Sequence, residues 1–548
     1  MSETTRDPEP QRTPSTSGSG GAAATIDNGL HRTLDWKGAF WIASGVPALV
    51  LFSIGSIAAT VGAPSPLVWT VSIIFGLLQS FVWAEIAGLF PSKSGGASVY
   101  GAMAWVRYAK PVAPLSVWCN WLAWSPVLTV GSGLAAGYVL TALFPAEATI
   151  NTWSMTLLPL GFVQEGLEVR LNAQFVIAAL FLLLVFALQH GGILRAARVQ
   201  TIIGLAVLVP LLVVGLVPLI TGDIVATNFQ PFVPLSGAWD APGWTLFAGG
   251  LFLAAWSAYA FETSICYTAE FKNPGRDTVR AILSAGIACL VIYTLVPFAF
   301  QGVLGVDRLT QDDIVDGNGV GQAMTVLVGG GPVIANLLIV MLVLALLLTI
   351  MTTMAGSSRT LYQGSRDGWL PRFLSRTNQH GAPTRAMWTD LVFNLVLLLL
   401  SDYVFVLATS TVCYMIFNFL NLNAGWMHRV DNPDAPRPYR APTALIAIGT
   451  VLAFVNALLL GWGANVWGGG ALATGLIAAA IVVPVFYYRH KVVDKGVFPA
   501  SFSEDLPAEK GADGAVELRR RAGVRPYLVL AGGVVVVIIG QLLAAAGS

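Results

Sequence analysis

The chain has 548 residues, of which 55% are hydrophobic and only 11% charged, with a mean hydropathy of +0.71. Soluble domains carry roughly 25% charged residues, so an ordinary soluble globule is excluded. A formal net charge of +1 supplies neither the basic field that nucleic acid requires nor an acidic field for a cationic partner.

In chain order, the first thirty or so residues are rich in Pro, Ser, Thr, Gly and Ala and lack the apolar stretch of a secretory signal. They read as a disordered cytoplasmic tail over residues 1–36. Thirteen apolar runs follow, near 39–62, 67–89, 114–143, 172–189, 199–221, 245–268, 280–303, 333–357, 387–401, 403–425, 442–462, 470–487 and 526–546. A helix needs about twenty such residues to cross a bilayer. The ninth and tenth runs are parted by little more than Ser401 and Asp402, which predicts a tight hairpin. Positive side chains test the count, because Lys and Arg are retained on the cytoplasmic side of short loops. All of the 30 Lys and Arg except Arg170 and Arg308 fall in the amino-terminal tail or in alternate connections. This parity places a multi-pass protein in the cell membrane with its amino terminus in the cytoplasm. Residues 37–490 then form a core of about twelve membrane helices, 491–525 a cytoplasmic linker, and 526–546 an extra helix. Cys119, Cys266, Cys289 and Cys413 all fall in apolar runs without paired spacing and read as small core residues.

Two runs carry chemistry. Glu262 lies well inside the sixth, within Trp256-Ser257-Ala258-Tyr259-Ala260-Phe261-Glu262. An ionisable group at that depth costs roughly 2.5 to 3.5 kcal/mol on insertion scales, which makes it a candidate functional group. The sequence places no other Asp, Lys, Arg or His at that depth. An ionised Glu262 would then be met by water, backbone, a bound ion or a cationic substrate, and the group could bind and release a proton during a cycle. The alternative is a permanently protonated carboxyl bonded to neighbouring helices. The first run is interrupted by Ser44-Gly45-Val46-Pro47-Ala48, where proline removes a helical hydrogen bond and clashes with the preceding turn. Such a break exposes backbone groups and helix-dipole ends that can hold a solute, although a packed proline kink would look the same. A matching interruption is expected five segments later, at Gly249, Gly250 and the small residues around Ser257. Paired breaks of this kind are the signature of an inverted repeat.

Three words lie in the connections: Trp83-Ala84-Glu85-Ile86-Ala87 running to Phe90-Pro91-Ser92-Lys93-Ser94-Gly95-Gly96, Ala269-Glu270-Phe271-Lys272-Asn273-Pro274-Gly275-Arg276, and Ser358-Arg359-Thr360-Leu361-Tyr362 with Ser365-Arg366-Asp367-Gly368-Trp369. Gly and Pro shape turns there, and Glu85, Glu270 and Asp367 are expected to pair with arginines such as Arg359 and Arg366 in a cytoplasmic gate.

In this order and spacing the three words resemble the amino acid-polyamine-organocation permease superfamily, over about residues 37–490. The resemblance implies an all-α polytopic fold of the LeuT type, two inverted five-helix repeats with about three further helices. It implies a secondary transporter of amino acids or related amines working by alternating access. Substrate would be held by the backbone of Ser44, Gly45, Val46, Pro47 and Ala48 and by Trp256, Ser257, Tyr259 and Phe261. Glu262 would couple to a proton or sodium ion. Two positions depart from the pattern: the Gly-rich first-helix motif is replaced by Ser44-Gly45-Val46-Pro47-Ala48, and Val207 falls where some proton-coupled members carry Lys. His31, His190, His380, His428 and His490 show no metal-ligand spacing and no enzyme word appears, so no metal, cofactor or catalytic residue is expected. The expected partners are a small solute and membrane lipid, with no nucleic acid. A receptor that binds solute without moving it, and a polyamine or small-amine exchanger, are the alternatives.

Overall fold

The computed structural model describes residues 30–145, 147–505, 508–510 and 516–547. Most of the expected tail lies outside the described residues. Residues 30–35 instead run along the end of the sixth segment, where Thr33 N and Leu34 N donate to Glu270 O at 3.0 and 2.9 Å and Lys272 N donates to Leu34 O at 2.8 Å.

Among the described residues, twelve segments are long and apolar enough to cross a membrane. They are α1 (Trp36–Val61), α2 (Ser65–Gly88), α3 (Val112–Leu143), α4 (Ala173–His190), α5 (Ile193–Thr221), α6 (Ala241–Glu270), α7 (Pro274–Leu309) and α8 (Pro332–Arg366), then, after the short helix α9 (Thr384–Leu397), α10 (Tyr403–Asp431), α11 (Thr443–Trp467), α12 (Gly469–Val493) and α13 (Arg525–Ala546). The expected ninth run is the helix α9, which starts and ends a few residues earlier than expected and is shorter than the other spans: 14 residues, about 21 Å of helix against a hydrocarbon core of about 30 Å. It still runs from the arginine-rich face at Arg385 to the hairpin on the opposite face, so the alternation of sides is kept. It stops early because residues 399–401 leave the helix to pair with a hairpin, β1 (Ser154–Pro159) and β2 (Glu168–Asn172). Arg170 N donates to Leu399 O at 2.7 Å, and Ser401 N donates to Glu168 O at 2.9 Å.

α1 and α6 form the centre: 94% and 83% of their apolar windows are buried, against 17% for the peripheral α13. Both are interrupted. In α1 a 3-10 stretch over Ala43–Leu49, holding Pro47, separates helices Trp36–Ile42 and Val50–Val61. α6 is α-helical over Ala241–Ala258 and continues as 3-10 turns over Ala260–Ile265 and Thr268–Glu270. The expected interruption is met around Ser257, at the end of the α-helical part, while Gly249 and Gly250 lie about two and a half to three turns too early. Those glycines sit inside the helix and serve packing: a Cβ would stand 2.7 Å from Val466 at Gly249 and 2.6 Å from Val61 at Gly250.

Beyond α12 the charged connection does not hang free. Phe498 and Phe502 stack at 4.3 Å and flank Trp369 at 5.3 and 5.7 Å. Asp505 accepts from Ser92 N at 3.2 Å and from Ser92 Oγ, while Ser501 Oγ donates to Arg366 O at 2.7 Å. Burial holds the Asp505 carboxyl above the usual carboxylate range, with the Ser92 hydrogen bonds and Lys93 opposing it only in part. Such a group holds more protons when docked, so its contribution is full at acid pH and is lost as pH rises through the raised value. Asp505→Asn should therefore gain in melting temperature relative to the wild type as pH is raised from about 4 to 7. A difference that stays constant over that range would contradict this assignment.

Candidate functional site

The α1 break frees backbone groups in the interior, and neighbouring helices claim them. Thr352 Oγ1 of α8 donates to Ile42 O at 2.6 Å and accepts from Gly45 N at 3.3 Å, and Thr349 Oγ1 donates to Gly45 O at 2.9 Å. From α5, Gln200 Nε2 donates to Ile42 O at 3.0 Å. Gly45 is required because a Cβ there would stand 2.7 Å from Thr349 Cα and 2.8 Å from Leu348 O, both backbone. Val207 lies about two turns along α5 from Gln200 and packs with Ala48, Ala345 and Leu348. Val207 only packs against the break, and the α5 side chain that hydrogen-bonds it is Gln200, an amide that the sequence reading passed over.

Tyr293 of α7 ties the two breaks together. Its hydroxyl lies 3.0 Å from Val46 O and 3.2 Å from Ser257 O, so one side chain serves the 3-10 stretch of α1 and the last α-helical turn of α6 before its break. Tyr293→Phe leaves these buried carbonyls short of a donor. It should lower stability by about 1–3 kcal/mol and slow turnover more than it changes solute affinity, read by melting curves and flux at saturating solute. Unchanged melting and flux would remove Tyr293 from the site.

Around this junction Ser44, Val46, Trp256, Ser257, Tyr259 and Glu262 are all at most 3% exposed, so the centre is closed to both faces. Trp256 Nε1 donates to Ala123 O at 3.2 Å and the ring lies 6.5 Å from Phe52. Tyr259 lies 6.3 Å from Tyr414. Phe261 departs from the expected role: its ring points away from the junction, into the contact of α2 and α7, where Gly76 and Gly286 leave room for it. It is a packing residue.

Glu262 sits in the 3-10 turn after the α6 helix. Its Oε1 accepts from Asn120 Nδ2 and Trp124 Nε1 of α3, each at 3.0 Å, while Oε2 has no hydrogen-bond partner among the described residues. Asn120 Oδ1 in turn accepts from Ser98 Oγ and Thr360 Oγ1, each at 3.2 Å. A buried carboxylate oxygen without a donor is costly unless something completes it.

A second buried carboxylate corrects the expectation that Glu262 stands alone. Asp390, at the middle of α9, accepts from Trp121 Nε1 at 2.7 Å, Ser125 Oγ at 2.6 Å and Ser357 Oγ. Asn394 Nδ2 donates to Ser125 Oγ at 2.8 Å and Thr129 Oγ1 donates to Asn394 Oδ1 at 2.8 Å. Residues 120 and 124 of α3 thus face Glu262 while 121 and 125 face Asp390. The signal available in sequence was an Asp and an Asn four apart on an otherwise apolar helix.

The three words of the connections converge on the arginine-rich face. Gly95 N donates to Cys266 O at 2.9 Å, Thr360 Oγ1 to Gly95 O at 2.9 Å, and Ser94 N to Gln363 Oε1 at 3.2 Å. Glu270 is clamped by Arg359 through Nε and through Nη2 at 2.9 Å. Asp367 pairs with Lys93 at 2.6 Å, both fully buried. Glu85 takes Arg429 through Nε at 2.8 Å and Nη2 at 2.6 Å, with Arg437 at 3.3 Å. The expected arginine partner is therefore found for Glu270 and Glu85, while Asp367 uses a lysine. Arg366 forms no ion pair among the described residues and donates to Tyr362 Oη at 3.4 Å.

The family model described as amino acid permease matches residues 34–487. The branched-chain amino acid permease of Lactococcus lactis subsp. cremoris is 22% identical over 356 residues, covering 61% of this chain and 72% of that protein. The branched-chain amino acid permease of Bacillus subtilis is 24% identical over 456 residues, covering 81% and 86%. A polyamine transporter of Oryza sativa subsp. japonica is 24% identical over 437 residues, covering 75% and 72%.

Proposed function

Because this chain belongs to the amino acid permease family, we propose that it moves amino acids or related amines across the cell membrane by alternating access, with solute held at the α1 and α6 breaks. The observation that carries the reading is the junction itself: two interrupted segments, bridged by Tyr293, with the free Oε2 of Glu262 beside them. Backbone over Ser44, Gly45, Val46, Pro47 and Ala48 meets one end of the solute, and Trp256, Ser257 and Tyr259 line its path. Relatives named for branched-chain amino acids and for polyamines support a solute that carries an amine. Glu262 takes the coupling proton or contacts the solute's ammonium. The Glu270–Arg359, Asp367–Lys93 and Glu85–Arg429 pairs latch the arginine-rich face, which the positive-inside rule places in the cytoplasm together with the amino terminus.

The test is uptake by proteoliposomes of a panel of radiolabelled amino acids and amines, driven by an inward proton gradient, a sodium gradient, or internal solute alone. Saturable uptake of a panel member is expected, and the condition that drives it names the coupling. Binding of solute without flux under all three would establish a receptor instead.

A further inference from the structure

On the face opposite the arginine-rich loops, three connections enclose a cavity of about 220 Å³. Its rim is fixed. The β2 strand is stitched to the turn after α9 by the bonds at Leu399 and Ser401, and Glu168 N adds a third to Ser401 Oγ at 3.0 Å. The connection between α7 and α8 is held by Tyr403 Oη, which donates to Val315 O at 2.6 Å, and by Tyr138 Oη, which donates to Gly317 O. Thr129 of α3 lines the cavity and belongs to the hydrogen-bonded cluster that leads to Asp390.

The charges lining it are unusual for this face. Arg170 and Arg308 alone among the Lys and Arg fall in connections of this parity. Arg308 is consumed by a bidentate pair with Asp313, at 2.6 and 2.7 Å. Arg170 lines the cavity, and its carboxylate neighbour Glu168 is 4.0 Å away, with both side chains about one third exposed. A pair of that kind contributes little. Asp316 lines the same cavity, and no described residue donates a hydrogen bond to its carboxylate. Asp316 is exposed to the cavity; partial burial, with Asp312, Asp402 and Asp313 nearby, holds its carboxyl above the usual carboxylate range. Arg170 Nη2 donates to Ser401 O at 3.5 Å, which leaves most of its donors for a ligand. A planar guanidinium and a carboxylate lining one small cavity match the two ends of an amino acid.

We propose that this cavity is a loading subsite for α-amino acid zwitterions, in which Arg170 takes the carboxylate and Asp316 the ammonium before the solute reaches the broken helices. The proposal rests on the transport reading above. Asn318 and Gln174 complete the polar wall.

The test is binding of L-leucine, and of isoamylamine, which is leucine without its carboxylate, to the purified full chain in nanodiscs. The wild type should bind two leucines per chain, one more weakly. Arg170→Gln and Asp316→Asn should each weaken that second event at least tenfold and leave the first unchanged. Isoamylamine should be weakened by Asp316→Asn and unaffected by Arg170→Gln. Arg170→Lys keeps the charge without the fork; it should give an intermediate loss and stands in if Arg170→Gln does not fold. A single leucine per wild-type chain, or isotherms that none of these variants moves, would overturn the subsite. Absence of flux in proteoliposomes would overturn the transport reading instead, and leaves the leucine stoichiometry to decide the subsite by itself.

Discussion

Lys93→Ala is expected to be among the most destabilising single substitutions in this protein. Lys93 and Asp367 are both fully buried, with Nζ 2.6 Å from Oδ1, and the same ammonium donates to Ser501 O at 2.6 Å. Removing one member of a buried pair leaves the other charge uncompensated and typically costs about 3–5 kcal/mol. Asp367 would keep only Gln363 Nε2 at 3.0 Å on Oδ1, since its Oδ2 has no partner among the described residues. Burial already holds the Asp367 carboxyl above the usual range in spite of Lys93, so desolvation outweighs the attraction. The double variant Lys93→Met with Asp367→Asn removes both charges and should recover most of the loss. Melting curves of the two single variants and the double close the cycle. A Lys93→Ala protein as stable as the wild type would show that the pair does not latch this face.

Glu262→Gln should cut uptake at least tenfold while the fold stays intact. The amide oxygen can still accept from Asn120 and Trp124, so the melting temperature should shift by no more than a few degrees. What is lost is the charge and the exchangeable proton at the α6 break. Glu262→Ala differs, because it also strands two buried donors and should cost about 1–3 kcal/mol in addition. Uptake rate, affinity and pH response all unchanged in Glu262→Gln would take the carboxylate out of the mechanism.

Much of the architecture was legible because it depends on local composition. Apolar length and the alternation of Lys and Arg gave twelve long segments in the right order, and Pro47 marked the α1 break to the residue. The ends of interactions were less legible. Glu85, Glu270 and Asp367 were identifiable as charges needing partners, but Lys93, Arg429 and Arg437 lie far along the chain, and only the packing of α2, α8 and α10 brings them in. Gly249 and Gly250 misled because glycine marks close packing as readily as a broken helix, and here Val466 and Val61 occupy the space. Phe261 was assigned by its place next to Glu262, yet successive residues of a tight turn point in different directions. Asp390 was hidden by the bounds 387–401, which left it near the edge. With the helix at Thr384–Leu397 it stands at the middle, held by three donors on two other helices. Tyr293 and Gln200 carried no signal at all, since a lone polar group in an apolar helix gains meaning only from the carbonyl that it meets.

The most direct test of the central claim is a cryo-electron microscopy map of the full chain in nanodiscs with a saturating concentration of the solute that it transports. Added density is expected between the backbone of Ser44–Pro47 and the face formed by Trp256, Ser257 and Glu262. Solute density elsewhere, with this junction packed as it is here, would contradict it.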